Sequence, residues 1–358
     1  MRAEHADLVV IGLGPAGSCA AAAAAAAGAR VVAIEARAAA GSPVQCAEFV
    51  PALLDQEVPG LAAVTVQPIA RMLSFVEAAP PNVIAAFPGR MIDRAGFDRS
   101  LAARAATAGA VCRYRCRLRG IDADGVLHLS DGTGLHARLV IGADGPRSRV
   151  GAACGQVNRD LVETRQITVP LHDRHDATDI FLRAAYPGGY GWLFPKAGFA
   201  NLGLGLAAPA RGRLRPLLDA LHAELVAAGR VGTAVLGLTG GAIPVGGRRA
   251  ALGRIGAMPA LLAGDAAGLA NPVTGAGIAA AVQSGTLAGR AAAAWLGGAA
   301  TALDGYEDEL ADLFDAALTR AVRRRAALLA VAGAGAPPDA AALRGGWIAY
   351  PQYWEEAA

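Results

Sequence analysis

The stretch Gly12-Leu13-Gly14-Pro15-Ala16-Gly17 constrains this chain more than any other. Residues 7–12 before it read Asp-Leu-Val-Val-Ile-Gly, an apolar run rich in β-branched side chains, as a buried parallel strand would be. Residues 18–27 after it are almost all alanine, the strongest helix former, and Gly28 closes that helix. Residues 30–35 then read Arg-Val-Val-Ala-Ile-Glu, a second strand. Strand, glycine turn, helix, strand and terminal acid together form the βαβ fingerprint of dinucleotide binding. Gly12 permits the tight turn, Gly14 lets backbone N–H groups approach a pyrophosphate, and Gly17 lets helix and strand pack closely. Pro15 and Ala16 complete the turn at the helix N-terminus, whose partial positive charge suits a phosphate. Glu35 is placed to accept hydrogen bonds from a ribose diol.

The pattern returns twice. Residues 139–145 read Leu-Val-Ile-Gly-Ala-Asp-Gly, another apolar strand ending in an acidic turn at Asp144, with Arg147 and Ser148 behind it. Later, a strand ends at Gly264-Asp265, where the acid can bond a ribitol hydroxyl. Gly275, Gly277 and Ile278 then open a helix whose amides can face a phosphate or the electron-rich end of an isoalloxazine. Taken singly, each later turn is equally an ordinary Asp-Gly turn. Following the first motif in this order, they select FAD over NAD.

On these motifs the chain resembles FAD-dependent oxidoreductases with the para-hydroxybenzoate hydroxylase type of architecture, over about residues 7 to 290. The resemblance implies an α/β fold (α+β overall). A Rossmann-like FAD-binding domain is built from separate segments, a mixed-sheet substrate domain is inserted between the second and third FAD motifs, and a C-terminal helical segment follows. The expected pieces are 1–75 and 76–155 for the first two FAD segments, 156–250 for the substrate domain, 251–300 for the third FAD segment, and 301–358 for the helical region and aromatic tail.

Residues 186–205 narrow the reading. Aromatic residues make up only 5% of the chain, yet Tyr190, Trp192 and Phe194 fall within one short run beside Gly188, Gly189 and Gly191. A period of two puts the three rings on one face of a strand. Pro195 is expected to stop that strand, and residues 202–206 to return as a hairpin partner. A half-buried strand with its aromatics in the core accounts for the alternation as well. With Pro195, Gly203 and Gly205, however, the spacing is similar to the substrate-domain signature of the geranylgeranyl reductase family. The resemblance implies saturation of isolated carbon–carbon double bonds of polyprenyl chains: a hydride passes from flavin N5 to one carbon, and a nearby acid or trapped water protonates the other. Such a substrate offers no charge to recognise, so its site must be an apolar, aromatic-walled tunnel that also keeps water from the reduced flavin. Tyr190, Trp192, Phe194 and Pro195 are then substrate contacts. Lys196, the chain's only lysine, is placed for a phosphate or carboxylate at the tunnel mouth.

Further assignments follow from the resemblance alone. The family carries a cysteine where Cys46 stands, so Cys46 and Ala47 are implied flavin contacts, with Cys46 the candidate to gate the site or relay a proton. A buried, inert thiol is the alternative. Ala47-Glu48 stands where the family often has glycine, which bears on the loop's shape. Arg94, at an expected helix start, is implied to hold the FAD pyrophosphate, a surface arginine being the alternative. Residues 111–118 read as an edge strand, and the family's backbone contact to adenine falls near Leu118.

At 358 residues, two interlocked domains with ample core are expected. A net charge of +3 gives no reason to expect nucleic acid. Cys19, Cys46, Cys112, Cys116 and Cys154 form no metal pattern, so a reduced, cytoplasmic chain is expected. The first residues lead straight into a strand, so no signal peptide is expected, and the alanine run belongs to a buried helix rather than a membrane span. Residues 304–332 read as a helix carrying Arg320, Arg323, Arg324 and Arg325. Its basic face is either solvated or in peripheral contact with the inner face of a membrane, where a lipid substrate would be collected. After Pro337-Pro338, the tail with Trp347, Tyr350, Tyr353 and Trp354 is expected either to close over the substrate cavity or to cap the FAD domain. Expected partners are an apolar small molecule or lipid and an electron donor, NADPH or a ferredoxin, because no second nucleotide fingerprint is present. The rival function on this fold is an FAD-dependent monooxygenase acting on an apolar substrate. A halogenase is disfavoured by the lack of a Trp-x-Trp-x-Ile stretch, and a non-enzymatic flavin scaffold has no use for a tunnel.

Overall fold

The structure, a computed structural model, describes residues 2–333 and 337–355. Its first strand, Arg2–Ile11, lies in parallel between Val31–Ile34 and Thr133–Gly142. It begins earlier than the sequence suggests, because residues 2–6 continue the ladder along the equally long Thr133–Gly142 strand. Met258–Leu262 pairs in parallel on the far side of Thr133–Gly142. From edge to edge the order is Leu252–Ile255, Met258–Leu262, Thr133–Gly142, Arg2–Ile11, Val31–Ile34, Val111–Arg113. The three acidic turns therefore leave the sheet together, at the carboxyl ends of its parallel strands, where open α/β sheets bind ligands. The edge strand stops at Arg113 instead of running to residue 118. Arg115 takes a left-handed backbone (φ 54°), and Leu118 starts a separate strand, Leu118–Ile121.

The alanine helix Pro15–Ala26 is pressed against the helix Ile278–Leu296. A Cβ on Gly285 would stand 2.1 Å from the carbonyl oxygen of Ala16. Only small side chains allow this approach, which is why alanine and glycine crowd both helices.

The second sheet runs Gly237–Thr239, Leu161–Pro170, Phe199–Ala207, Gly191–Lys196, Ala177–Leu182, Arg71–Val76, Asn82–Ile84. It is mixed: Arg71–Val76 pairs in parallel with Ala177–Leu182, and the hairpin Gly191–Lys196/Phe199–Ala207 is antiparallel. Residues 71–84 thus belong to the substrate sheet, although they lie within the stretch assigned to the FAD segments from sequence. Pro195 does not stop its strand. The strand runs to Lys196 with Pro195 opposite Ala200, and the ladder toward Ala177–Leu182 has already ended at Leu193, so no bond is lost for want of an N–H.

One face of this sheet buries Leu193, Leu202 and Leu204 under the helix Leu214–Ala227. The other carries Trp192 and Phe194 into a cluster with Met72, Ile180, Leu182 and the tail residues Leu343, Trp347 and Tyr350. The tail therefore covers the substrate sheet and does not cap the FAD domain. The helix Ala302–Gly333 is fastened to the first sheet where the Tyr306 hydroxyl donates to the Leu262 carbonyl at 2.7 Å. Among the described residues, no helix is long and apolar enough to cross a membrane.

Candidate flavin and substrate site

A cleft of about 390 Å³ opens where the first two of the acidic turns meet, and Gly12, Gly14, Glu35, Arg94, Leu118 and Asp144 all line it. Its glycines divide by function. Gly12 has φ 96° and no room for a side chain, since a Cβ would lie 2.4 Å from the Ala143 carbonyl oxygen; on Gly17 it would lie 1.8 Å from the carbonyl oxygen of Gly12. The chain's own packing demands both. A Cβ on Gly14 would meet no protein atom within 4 Å, so the space over it is left for a ligand. Pro15 and Ala16 are buried at the helix start beside it.

Glu35 is fixed at the cleft edge. Its Oε2 accepts from the Leu13 N–H at 3.0 Å and its Oε1 from the Arg37 N–H at 2.9 Å, leaving lone pairs for a diol. Asp144 accepts from the Ser148 hydroxyl at 2.5 Å and the Arg149 N–H at 2.7 Å. Burial pushes its carboxyl up in spite of these bonds. It thus holds its own turn together as well as lining the cleft.

Arg94 opens the helix Arg94–Thr107, whose first turn is capped by Asp93 accepting from the Gly96 N–H at 3.0 Å. It is no surface residue. Its Nε donates to Asp98 at 2.7 Å. Burial opposes its charge, but Cys46 and Asp98 beside it more than offset this and hold the guanidinium above its ordinary range. Its remaining donors face Cys46 and the cleft. Asp265 faces the same guanidinium. Burial pushes its carboxyl up to about 6, with Arg94 pulling the other way, and among the described residues no donor bonds that carboxyl. Gly264 and Gly275 take left-handed backbones (φ 60° and 69°), and Gly277 leads into the helix starting at Ile278, against Asp265. An open glycine cradle, a half-buried arginine and an unpartnered acid at a helix start fit the pyrophosphate and ribitol of FAD.

Sequence reasoning did not find what holds the Cys46 loop. Side chains of the substrate sheet and the loop stitch it along its length. The Thr239 hydroxyl donates to the Val44 carbonyl at 2.6 Å, the Gln45 amide to the Gly240 carbonyl at 2.8 Å, the Gln166 amide to the Cys46 carbonyl at 3.1 Å, and the Asn201 amide to the Ala47 carbonyl at 3.2 Å. Glu48 takes the glycine-like conformation (φ 70°). Its buried carboxylate accepts from Lys196 Nζ at 2.7 and 2.8 Å, Asn201 at 3.0 Å and the Arg94 N–H at 3.1 Å. Those donors offset both the strain and the desolvation. The ammonium of Lys196 is accordingly committed to Glu48 and is no free cation at a tunnel mouth. The Cys46 sulfur accepts from the Glu48 N–H at 3.1 Å. The one trace of this seam in the sequence is Asn201, the single polar side chain of the strand Phe199–Ala207; Gln166 lies in a strand that is half polar and carries no such mark.

The aromatic wall stands next to the seam. Trp192 and Phe194 are 7% and 8% exposed. The Trp192 ring lies over Gly203, where a Cβ would be 2.4 Å from ring carbon Cζ2; the glycine of the signature is the floor on which the indole rests. Tyr190 donates to the Thr274 carbonyl at 2.5 Å, tying the wall to the turn before the third-motif helix, and burial pushes its phenol well up. Tyr190 packs edge-on to Trp192 with centroids 5.8 Å apart, and Phe49 edge-on to Phe194 at 6.0 Å, both favourable aromatic spacings. Pro195 and Lys196 continue this strand toward Glu48.

Comparison with known proteins agrees with this geometry. The family model described as lycopene cyclase protein matches residues 7–169. The chain is 33% identical over 320 residues to digeranylgeranylglycerophospholipid reductase 2 of Methanosphaera stadtmanae, covering 80% of this chain and 77% of that protein. It is 34% identical over 345 residues to digeranylgeranylglycerophospholipid reductase 1 of Methanopyrus kandleri, covering 87% of this chain and 88% of that protein. Among solved structures, a geranylgeranyl bacteriochlorophyll reductase-like protein from Thermoplasma acidophilum superposes with a TM-score of 0.81 at 24% identity, over 98% of each chain. A probable FAD-dependent monooxygenase from Pseudomonas aeruginosa, PqsL, gives 0.71 at 18% identity, over 96% of this chain and 99% of the other, and shares the fold.

Proposed function

The chain belongs to the geranylgeranyl reductase family of FAD-dependent oxidoreductases, and on that footing we propose that it reduces carbon–carbon double bonds of an isoprenoid chain carried by a lipid. The observation that carries the reading is the seam itself. The loop at Cys46, beside the dinucleotide cleft, is bonded along its length to the sheet that presents Tyr190, Trp192 and Phe194. A cofactor in the cleft and an apolar chain on the wall are thereby held in one fixed relation.

Bound and reduced, FAD supplies a hydride for one alkene carbon. Gly14, Arg94 and the start of the helix Pro15–Ala26 hold its pyrophosphate, Glu35 its ribose and Asp265 its ribitol. Gly264, Gly275, Gly277 and Ile278 form the turn at the flavin end, Leu118 and Asp144 flank the adenosine half, and Ala47 meets the ring system. Tyr190, Trp192, Phe194 and Pro195 orient an apolar chain by shape and exclude water. Lys196 acts through Glu48, by keeping the loop in place. Cys46, its sulfur fixed between the Glu48 N–H and Arg94, gates the flavin edge or passes the proton to the second alkene carbon. Electrons arrive from NADPH or a ferredoxin, and the lipid is collected by peripheral contact with a membrane from the cytoplasmic side.

The test is anaerobic. The purified flavoprotein is reduced with dithionite and given geranylgeranyl diphosphate or a geranylgeranylated lipid, and flavin reoxidation is followed together with product mass. Reoxidation with a gain of two hydrogens per bond is the expected result. A flavin that stays reduced until oxygen enters and then yields an oxygenated product would move the chain to the monooxygenases.

A further inference from the structure

One rim of the substrate sheet leaves its large apolar side chains uncovered. Val235, Leu236 and Leu238 are 54%, 55% and 65% exposed. They fall within residues 231–247, which carry no charged side chain although charged residues make up 18% of the chain. The strand Gly237–Thr239 is an edge of the sheet. It pairs antiparallel with Leu161–Pro170, and no strand among the described residues pairs with its other side. The same end of the sheet brings Phe199, itself exposed, to this rim. Phe199 stands opposite Pro170, whose carbonyl accepts from the Gly232 N–H at 2.9 Å, and the Leu236 N–H donates to the Thr168 carbonyl at 2.8 Å. Four large apolar side chains thus stand along one lip.

The lip is joined directly to the flavin loop. The Thr239 hydroxyl holds the Val44 carbonyl and the Gln45 amide holds the Gly240 carbonyl, and Val44 and Gln45 line the flavin cleft. Thr239 turns toward the loop, so its neighbour Leu238 turns to the other face of the sheet. Leu238 is in register with Ile167, and Arg165, two residues along, shares that face. Arg165 is half-buried, and the carboxylate nearest to it in sequence, that of Glu163, is already taken by Arg147. Among the described residues no carboxylate pairs with Arg165. An uncharged aliphatic rim with a free guanidinium at its border therefore begins one residue from the wall of the cleft.

We propose that this lip docks on the surface of an anionic phospholipid bilayer, so that an isoprenoid lipid reaches the flavin site without crossing water. This rests on the prenyl-reductase reading above and names the surface by which that reading collects its lipid. A lipid with long apolar chains stays in the bilayer, because every methylene drawn into water adds to the cost of leaving. The protein must meet it there, with the border of its site against the acyl layer. Uncharged aliphatic and aromatic side chains enter the headgroup boundary, and a free guanidinium beside them meets lipid phosphate. Edge-to-edge pairing with a second copy is the other use of an exposed edge strand. Three residues give such a ladder few bonds, and two-fold pairing would bring Arg165 and its copy, like charges, to one interface.

The test is flotation of the holoprotein with phosphatidylcholine vesicles, with and without phosphatidylglycerol. Wild type is expected to float with the anionic vesicles and to be partly released by salt. The double variant Leu236→Asp, Leu238→Asp should lower vesicle affinity by about tenfold or more. The neutral pair Leu236→Ser, Leu238→Ser gives the same direction should the acidic variant not accumulate. Arg165→Gln should weaken binding to the anionic vesicles and leave binding to the neutral ones unchanged. Val83→Asp, at an exposed residue of the opposite edge strand, should bind as wild type does. In the anaerobic assay the double variants should keep the wild-type rate on geranylgeranyl diphosphate free in buffer, and lose about tenfold on a geranylgeranylated lipid held in vesicles. A wild type that does not float, double variants that float equally well, or a wild-type dimer that the double variants dissociate overturns the proposal while leaving the reductase reading intact. Failure of every protein to reduce either substrate overturns the reductase reading, and with it the role of the lip in substrate entry, whatever floats.

Discussion

The indole N–H of Trp192 donates to the side-chain oxygen of Gln166 at 3.0 Å, and the amide of the same Gln166 reaches the Cys46 carbonyl at 3.1 Å. One buried side chain thereby sets both the orientation of the aromatic wall and the position of the loop beside the flavin cleft. Gln166→Leu fills a similar volume but leaves an N–H and a C=O without partners in the interior, at about 1–3 kcal/mol each. We expect a stability loss of about 2–4 kcal/mol in denaturant unfolding, normal flavin content, and kcat reduced about tenfold or more. Unchanged turnover at normal flavin content would show that the bond pair serves folding alone.

The glycines of the first turn can be separated experimentally. Gly14 has φ −73° and open space where a Cβ would go, so Gly14→Ala should leave apoprotein stability within about 0.5 kcal/mol and yet lose FAD. Gly17→Ala would collide with the carbonyl of Gly12 and should cost about 3 kcal/mol or more whether or not FAD is present. Flavin absorbance and melting curves of both variants distinguish the roles. A Gly14→Ala protein with full flavin content would remove the phosphate from this position.

Asp265 makes the flavin-stripped protein sensitive to pH. Its carboxyl is raised from 3.8 to about 6 by burial, so the folded chain binds this proton more tightly than the unfolded chain does. Stability is therefore lost as pH rises through that window and stays lost above it. Asp265→Asn removes the penalty. The flavin-stripped variant should match wild type near roughly pH 4 and exceed it by about 1–2 kcal/mol near roughly pH 8, while binding FAD more weakly. Paired melting curves at the two pH values measure this, and a variant less stable than wild type at the higher pH contradicts it.

Lys196 and Glu48 should behave as a unit. Lys196→Met leaves a carboxylate, 7% exposed, without its counter-ion, at an expected cost of about 3 kcal/mol. The double variant Glu48→Gln, Lys196→Met should recover part of that loss, because no unpaired charge is left buried and the amide oxygen still accepts from one of the two remaining donors, Asn201 or the Arg94 N–H. Additive losses in the double-mutant cycle would show that the pair is not coupled.

Much of the cleft could be read from the sequence because its determinants are local. Gly12, Gly14, Gly17 and Glu35 sit within one βαβ unit, and Asp144, Asp265 and Arg94 each close or open a recognisable element. The alternation of Tyr190, Trp192 and Phe194 named the wall for the same reason. The seam was not legible. Gln166, Asn201 and Glu48 matter through partners 26 to 154 residues away, and no local pattern records which loop a buried amide will hold. Pro195 misled because its effect depends on where the neighbouring ladder ends, which is set by a different strand. The tail's destination hung on Ser74, whose hydroxyl accepts from the Trp347 indole N–H at 3.1 Å; it is an ordinary serine until the sheet puts it in register with Ile180 and Trp192.

The substrate sheet draws its strands from residues 71–84 as well as from 161–244, on both sides of the second acidic turn. Recombination between relatives meets this interleaving directly. A chimera that exchanged only the later stretch would import Trp192 and its hairpin but keep the host's Arg71–Val76 strand, and with it the host's partner for Trp347. The unit that packs as one piece is then three separate segments that must be transplanted together: the early strand pair, the hairpin sheet and the aromatic tail.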